Sequence, residues 1–142
     1  MAFFTDVHST KRFKLGTRRR VDDKEYIYLQ GVASLVAEDW VFYDDTYVAT
    51  RTVANSLGPV AIAMAAVVAS KFGWFGIWGT FAGDVATGAD NAKVWVTATA
   101  GRVDNTDVAT DIVLNAIQRS ATVANSATFE IRYPFCPDEV LN

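Results

Sequence analysis

One histidine, one cysteine and thirteen lysines and arginines bound the chemistry open to this 142-residue chain. A cysteine nucleophile needs a base within hydrogen-bond reach, and His8 and Cys136 stand near opposite ends of the chain. One histidine and one cysteine cannot supply the usual zinc set. Asp22-Asp23 and Asp44-Asp45 read as turn residues, where aspartate bonds its own backbone. The run Asp104, Asp107, Asp111 lacks the glycine and terminal glutamate of a calcium loop, so adventitious calcium is the one metal reading it leaves open. Gly73, Gly76 and Gly79 have neither the spacing nor the following lysine of a phosphate-cradling loop. No residue is assigned a catalytic, cofactor-binding or metal role, no cofactor is expected, and the chain reads as a protein that is not an enzyme.

Binding chemistry has more material. Lys11, Arg12, Lys14, Arg18, Arg19 and Arg20 place six of the thirteen basic residues within ten positions, in a chain whose formal net charge is −3. No apolar period runs through residues 1–24, which therefore read as an extended basic arm tipped by Phe3 and Phe4. Such an arm suits an acidic protein surface, a solvated frayed terminus or a phosphate backbone; the overall acidity argues against a dedicated nucleic-acid binder. The second candidate is Trp74 and Trp78 in the apolar stretch Gly58–Gly79. Aromatics on strands are more often core or interface than a sugar-stacking face.

The elements that must position these residues are strands. Tyr26 and Tyr28 alternate with Ile27 and Leu29 over Glu25–Gln30, and Trp40–Tyr43 and Tyr47–Val53 follow as strands. Val32–Asp39 reads as a loop or single helical turn. Gly58–Met64 and Gly73–Gly79 are strands joined by an alanine-rich connection, and Thr80–Ala86 continues as a short strand. Lys93–Thr97, Ile112–Gln118 and Thr128–Tyr133 complete the set, and Pro134-Phe135-Cys136-Pro137 is expected to stop the sheet. The apolar run Pro59–Ala69 is far below the roughly 20 residues of a membrane-spanning helix. Short strands with frequent turns indicate an all-β fold, a compact antiparallel barrel or sandwich, with one domain over residues 25–142 behind the arm.

A shift of about 54 residues superposes Trp40-Val41-Phe42 on Val94-Trp95-Val96 and Val60–Gly79 on Leu114–Tyr133. Phe75 then falls on Phe129 and Ile77 on Ile131. Chance similarity of two β-meanders and a pair of pseudo-repeated halves both account for this. If the halves correspond, Phe75, Ile77, Phe129 and Ile131 share an inward face, and Trp74, Gly76 and Trp78 face outward. Trp74 and Trp78 are then expected to be exposed in a protomer and covered in an assembly, with Gly76 permitting close approach.

The order of features also resembles a known family. Leu15-Gly16-Thr17 leads into Tyr26-Ile27-Tyr28-Leu29-Gln30-Gly31, then Ala37-Glu38-Asp39-Trp40-Val41, Gly58-Pro59-Val60-Ala61 and Phe72-Gly73-Trp74. Thr97-Ala98-Thr99-Ala100-Gly101-Arg102-Val103 and Phe129-Glu130-Ile131 close the series. This pattern resembles the small β-rich capsid decoration, or cement, proteins of tailed bacteriophages. The resemblance implies a non-enzymatic virion protein on the outer capsid surface, made in the host cytoplasm and often trimeric, whose partner is the major capsid protein. The short apolar runs and the net charge of −3 argue, independently of the resemblance, against a membrane and against direct nucleic-acid contact. Phe3, Phe4, the six basic residues of the arm, Trp74 and Trp78 are the candidate partner-binding residues. Deleting residues 1–20 is expected to leave a folded β domain with reduced capsid occupancy. A head-fibre base, connector or tail component is the alternative, followed by a carbohydrate- or host-surface-binding module.

Overall fold

The computed structural model describes residues 4–138. These form eleven strands and no helix: β1 (Val7–His8), β2 (Arg18–Val21), β3 (Lys24–Gln30), β4 (Trp40–Phe42), β5 (Thr50–Arg51), β6 (Gly58–Ala63), β7 (Phe72–Asp84), β8 (Lys93–Val96), β9 (Val103–Asp104), β10 (Ile112–Gln118) and β11 (Ser126–Cys136). The strand ladders are antiparallel and join into one open sheet, in the order β2-β3-β7-β6-β11-β10-β8-β9, with β7 also pairing β1 and β11, β4 pairing β6, and β5 pairing β4. The all-β expectation holds.

The two halves correspond closely. Adding 54 to the residue number carries β4 onto 94–96, β6 onto 112–117 and the first half of β7, 72–78, onto 126–132. It also carries β3 onto 78–84, the second half of β7. Register follows: the pairs Ile27↔Phe75, Tyr28↔Trp74 and Gln30↔Phe72 become Phe81↔Phe129, Ala82↔Thr128 and Asp84↔Ser126. Backbone detail repeats as well. Left-handed φ values recur at Tyr47 and Gly101, at Ser70 and Ala124, and at Gly79 and Tyr133. Such values are uncommon outside glycine, so recurrence at one spacing supports a duplicated unit over chance. The unit has five strands, and β7 serves both copies, closing the first and opening the second.

This sharing explains the length of β7. Its ladder with β3 slips by one residue between Trp78↔Glu25 and Gly76↔Tyr26, and Gly79 follows at φ 118°. A bulge bends a strand and resets which side chains face which way. Phe75 and Ile77 therefore enter one core cluster, with Ile27, Leu29, Leu35, Val41 and Val67. Phe81 enters the other, with Phe129, Ile131, Val94, Val103 and Trp40. The expected single inward face for Phe75, Ile77, Phe129 and Ile131 is thus corrected: Phe75 and Ile77 lie in a cluster drawn from the first repeat, whereas Phe129 and Ile131 lie in one that both repeats share, with Tyr26, Tyr28 and Trp74 in it.

Three strand limits also differ from the sequence reading. The third strand shrinks to Thr50–Arg51, because Tyr47 adopts φ 59° and breaks the extended run. The stretch Thr80–Ala86, expected to continue as a short strand, does so as part of β7 itself and ends at Asp84. The last strand runs through Pro134 to Cys136, where Phe135 and Cys136 pair with Pro59 and Gly58.

The repeats are joined by a polar clasp. Arg51 Nε donates to Asp39 at 2.9 Å and its Nη2 to the Ala100 carbonyl, while Arg102 Nε donates to Asp84 at 3.0 Å and Ser126 Oγ to Glu38 at 2.6 Å. Asp39 is 2% exposed, and burial raises its carboxyl pKa against the lowering effect of the Val36 N–H and Arg51. The native state thus holds a proton on Asp39 to higher pH than the unfolded chain does. This contribution stabilises the fold below the unfolded carboxylate pKa of about 3.9 and is lost as pH rises through the raised value. The stability difference between wild type and Asp39→Asn, from urea unfolding at successive pH values, should therefore shift toward wild type as pH falls through that window. A pH-independent difference would contradict this.

Candidate interaction surface

The basic segment is not a free arm. A strand needs a partner, and Arg18–Val21 finds it in β3, with Arg18 opposite Ile27 and Arg20 opposite Glu25. The boundary drawn after residue 24 thus falls inside β3, one residue past the hairpin turn at Asp22-Asp23, and β2 and β3 pair across it. Ahead of β2, Val7 and His8 pair with Gly73 and Phe72. His8 Nδ1 lies 2.8 Å from the Tyr28 hydroxyl, and the Arg12 N–H donates to that same oxygen.

The aromatic residues of the segment explain why it lies down. Phe4 stacks on Tyr26 with centroids 3.8 Å apart and planes 6° apart, and meets Trp74 edge-on at 5.3 Å. Phe13 meets Trp74 and Tyr28, each at 5.3 Å. Tyr26, Tyr28 and Trp74 line one face of β3 and β7; left in water, they would be a large exposed aromatic patch. Phe4, Phe13 and Leu15 cover it. Trp74 is consequently 3% exposed, and its assignment to a partner interface is corrected to core. Gly76 does permit close approach, but within the chain: a Cβ there would come within 2.6 Å of the Phe81 ring. Phe4 is likewise an internal anchor, and Phe3 lies outside the described residues.

What stays on the surface is an arginine ladder. Successive residues of a strand point to opposite faces, so Arg18 and Arg20 share one face and Arg19 takes the other. Each sits over an aromatic ring: Arg20 over Trp78 at 4.2 Å, Arg19 over Phe13 at 5.2 Å and Arg18 over Tyr133 at 5.7 Å. Buried Glu25 ties the set together, accepting from Arg20 Nη1 at 3.3 Å and from the Tyr133 hydroxyl at 2.7 Å. That hydrogen bond holds the Tyr133 hydroxyl above the ordinary tyrosine pKa. Arg132, opposite Trp78 in the β7–β11 ladder, extends the face and donates to Glu130 at 2.8 Å. Lys11, Arg12 and Lys14 are exposed on the same segment.

Of the ten candidate residues, the structure brings Arg18, Arg20 and half-buried Trp78 into one cluster and holds Arg19 on the reverse face. Sequence reasoning missed Glu25, Phe13 and Tyr133. Phe13 was visible as an aromatic residue interleaved in the basic run. Tyr133 was not, since only the bulge in β11 turns it outward beside β2.

Elsewhere, burial pushes the Cys136 thiol up to about 12, and a protonated thiol is a poor nucleophile. Asp111 is used structurally, accepting from the Asn55 N–H at 2.8 Å. Among the described residues no group of three or more histidine, cysteine, aspartate or glutamate side chains is placed to hold a metal ion. Comparisons with protein-family models, curated proteins and solved structures give no match for this chain.

Proposed function

We propose that this chain is a non-enzymatic virion structural protein that binds the outer surface of an assembled bacteriophage capsid and bridges neighbouring major capsid subunits. The observation that carries the reading is the arginine ladder. It is a rigid basic and aromatic surface on a compact β body, in a chain that is acidic overall. Charge of one sign gathered on one face selects a partner of the opposite sign and speeds encounter. Aromatic and arginine side chains are those that most often dominate binding energy in protein interfaces. A protein that binds the assembled lattice and not its loose subunits stabilises the lattice by mass action. A trimer, the favoured assembly, would multiply modest contacts through effective concentration.

Electron microscopy of purified particles tests this. Density for the chain at regular positions over the shell is the expected result. Density confined to one vertex or to the tail would replace decoration by a connector or tail role. With wild type in place, Arg18→Gln combined with Arg20→Gln, which sets no carboxylate opposite Glu25, should empty most shell sites while leaving the isolated protein folded. Full occupancy by that variant would remove the ladder from the interface.

A further inference from the structure

We infer that the outer edge of β2 is a strand-docking site for an extended acidic segment of a neighbouring protein. This deepens the capsid-binding reading and rests on it for the partner's setting. Strand β2 is the end of the sheet path, with β3 as its partner. The Tyr28 N–H donates to the Thr17 carbonyl, and the Tyr28 carbonyl accepts from the Gly16 N–H. Tyr28 therefore turns both its backbone groups toward this segment, and so, two residues away, does Tyr26, which is paired with Arg19. Alternation then points the N–H and C=O of Arg19 inward and those of Arg18 and Arg20 outward. Among the described residues no strand meets them. All four β2 side chains are exposed.

Charged residues on an edge strand commonly serve to repel other strands. The arginines here are arranged differently. All three guanidinium groups lie over rings, at 4.2, 5.2 and 5.7 Å, and Arg20 Nη1 is also bonded to Glu25. A guanidinium has five N–H donors, so each arginine held over a ring, Arg20 with one N–H given to Glu25 included, keeps donors for a further carboxylate. A strand added beside β2 would bond to the backbone of Arg18 and Arg20. Acidic side chains at alternate positions on that strand would meet the two guanidinium groups on the β11 face. This is β-augmentation, in which main-chain bonds give affinity and alternate side chains give specificity. A nucleic acid could satisfy the arginines but not the backbone ladder, so the geometry favours a peptide.

The test uses the full chain with three probes: an extended peptide alternating aspartate and valine, the same peptide N-methylated on its backbone, and a single-stranded oligonucleotide. The first should slow hydrogen exchange at the Arg18 and Arg20 amides. N-methylation should weaken binding about tenfold, the scale of one or two lost hydrogen bonds. Arg20→Pro removes an outward N–H along with the side chain and should bind more weakly than Arg20→Ala. Amides left unprotected, equal binding of the N-methylated peptide, equal affinity of the proline and alanine variants, or protection by the oligonucleotide alone would each overturn strand docking. Those outcomes leave capsid decoration standing if the chain still covers the shell. Strand docking in a chain absent from the shell would instead retire the capsid reading.

Discussion

Deletion of residues 1–20 is expected to destabilise the protein by about 4 kcal/mol, because it removes Phe4, Phe13 and Leu15 from the face of Tyr26, Tyr28 and Trp74. Full burial of one such side chain is worth about 1.5–3 kcal/mol. These three are half-buried, and the platform beneath them is uncovered at the same time. The loss is a large part of the roughly 5–15 kcal/mol that holds a domain together. Urea unfolding should show a lower midpoint, and a dye that reports exposed apolar surface should bind the truncated protein and not the intact one. An unchanged midpoint would return residues 1–20 to the status of a dispensable arm. Phe13→Ala gives a finer test, since it keeps β2 and its three arginines. It should lower stability while leaving Arg18 and Arg20 over their rings, whereas Arg18→Gln with Arg20→Gln should act mainly on binding, with the smaller loss of stability. The segment thus has two faces with separate duties: apolar residues close the core inward, and basic residues remain available outward.

How much of this was legible in the sequence can be argued from single elements. Strand β10 was legible to the residue, because Ile112–Gln118 is bounded by polar loops and is apolar except at Asn115 and Gln118. The repeat was legible through Phe75 and Phe129, Ile77 and Ile131, although its true extent was not. The match of β3 to the second half of β7 has almost no side-chain identity, KEYIYLQ against WGTFAGD, and survives in register and backbone bonding alone. The orientation of Trp74 was beyond reach for a different reason. Period-two alternation says which residues share a face, not whether that face is covered. The cover comes from Phe4 and Phe13, nine positions apart in a segment without an apolar period, so no local pattern announces it. Beyond Trp74, the bulge at Ile77–Trp78 is a separate obstacle, since one extra residue reverses the facing of everything after it.

Trp74→Ala and Trp78→Ala should part company, and the contrast separates core from surface on one strand. Trp74 is enclosed by Tyr28 at 5.0 Å and by Phe4 and Phe13 at 5.3 Å. Truncating a buried tryptophan leaves a cavity and costs about 3–5 kcal/mol. The Trp74→Ala protein should therefore unfold at markedly lower denaturant and be partly depleted from any assembly through instability alone. Trp78 is half-buried and its principal partner is the Arg20 guanidinium. A surface cation–π contact is worth about 0.5–1 kcal/mol, so Trp78→Ala should unfold close to wild type. Its effect should fall on binding instead, because Arg20 loses the ring beneath it while keeping Glu25 at 3.3 Å. A guanidinium released from one support samples more orientations and must be ordered again when a partner arrives, which weakens association without touching the fold. Comparable stability losses for the two variants would show that Trp78 is also core. A Trp78→Ala protein that keeps full shell occupancy would show that ring support of the ladder does not matter to the partner. The same pair tests the duplication, since the counterparts of Trp74 and Trp78 in the second repeat are Thr128 and Arg132, both exposed. Repeat one thus buries its aromatic face under the N-terminal segment, and repeat two, with no such cover, carries polar residues at the corresponding positions. Thr128→Ala should accordingly change stability by no more than about 0.5 kcal/mol, and a larger loss would mean that the second face is covered as well.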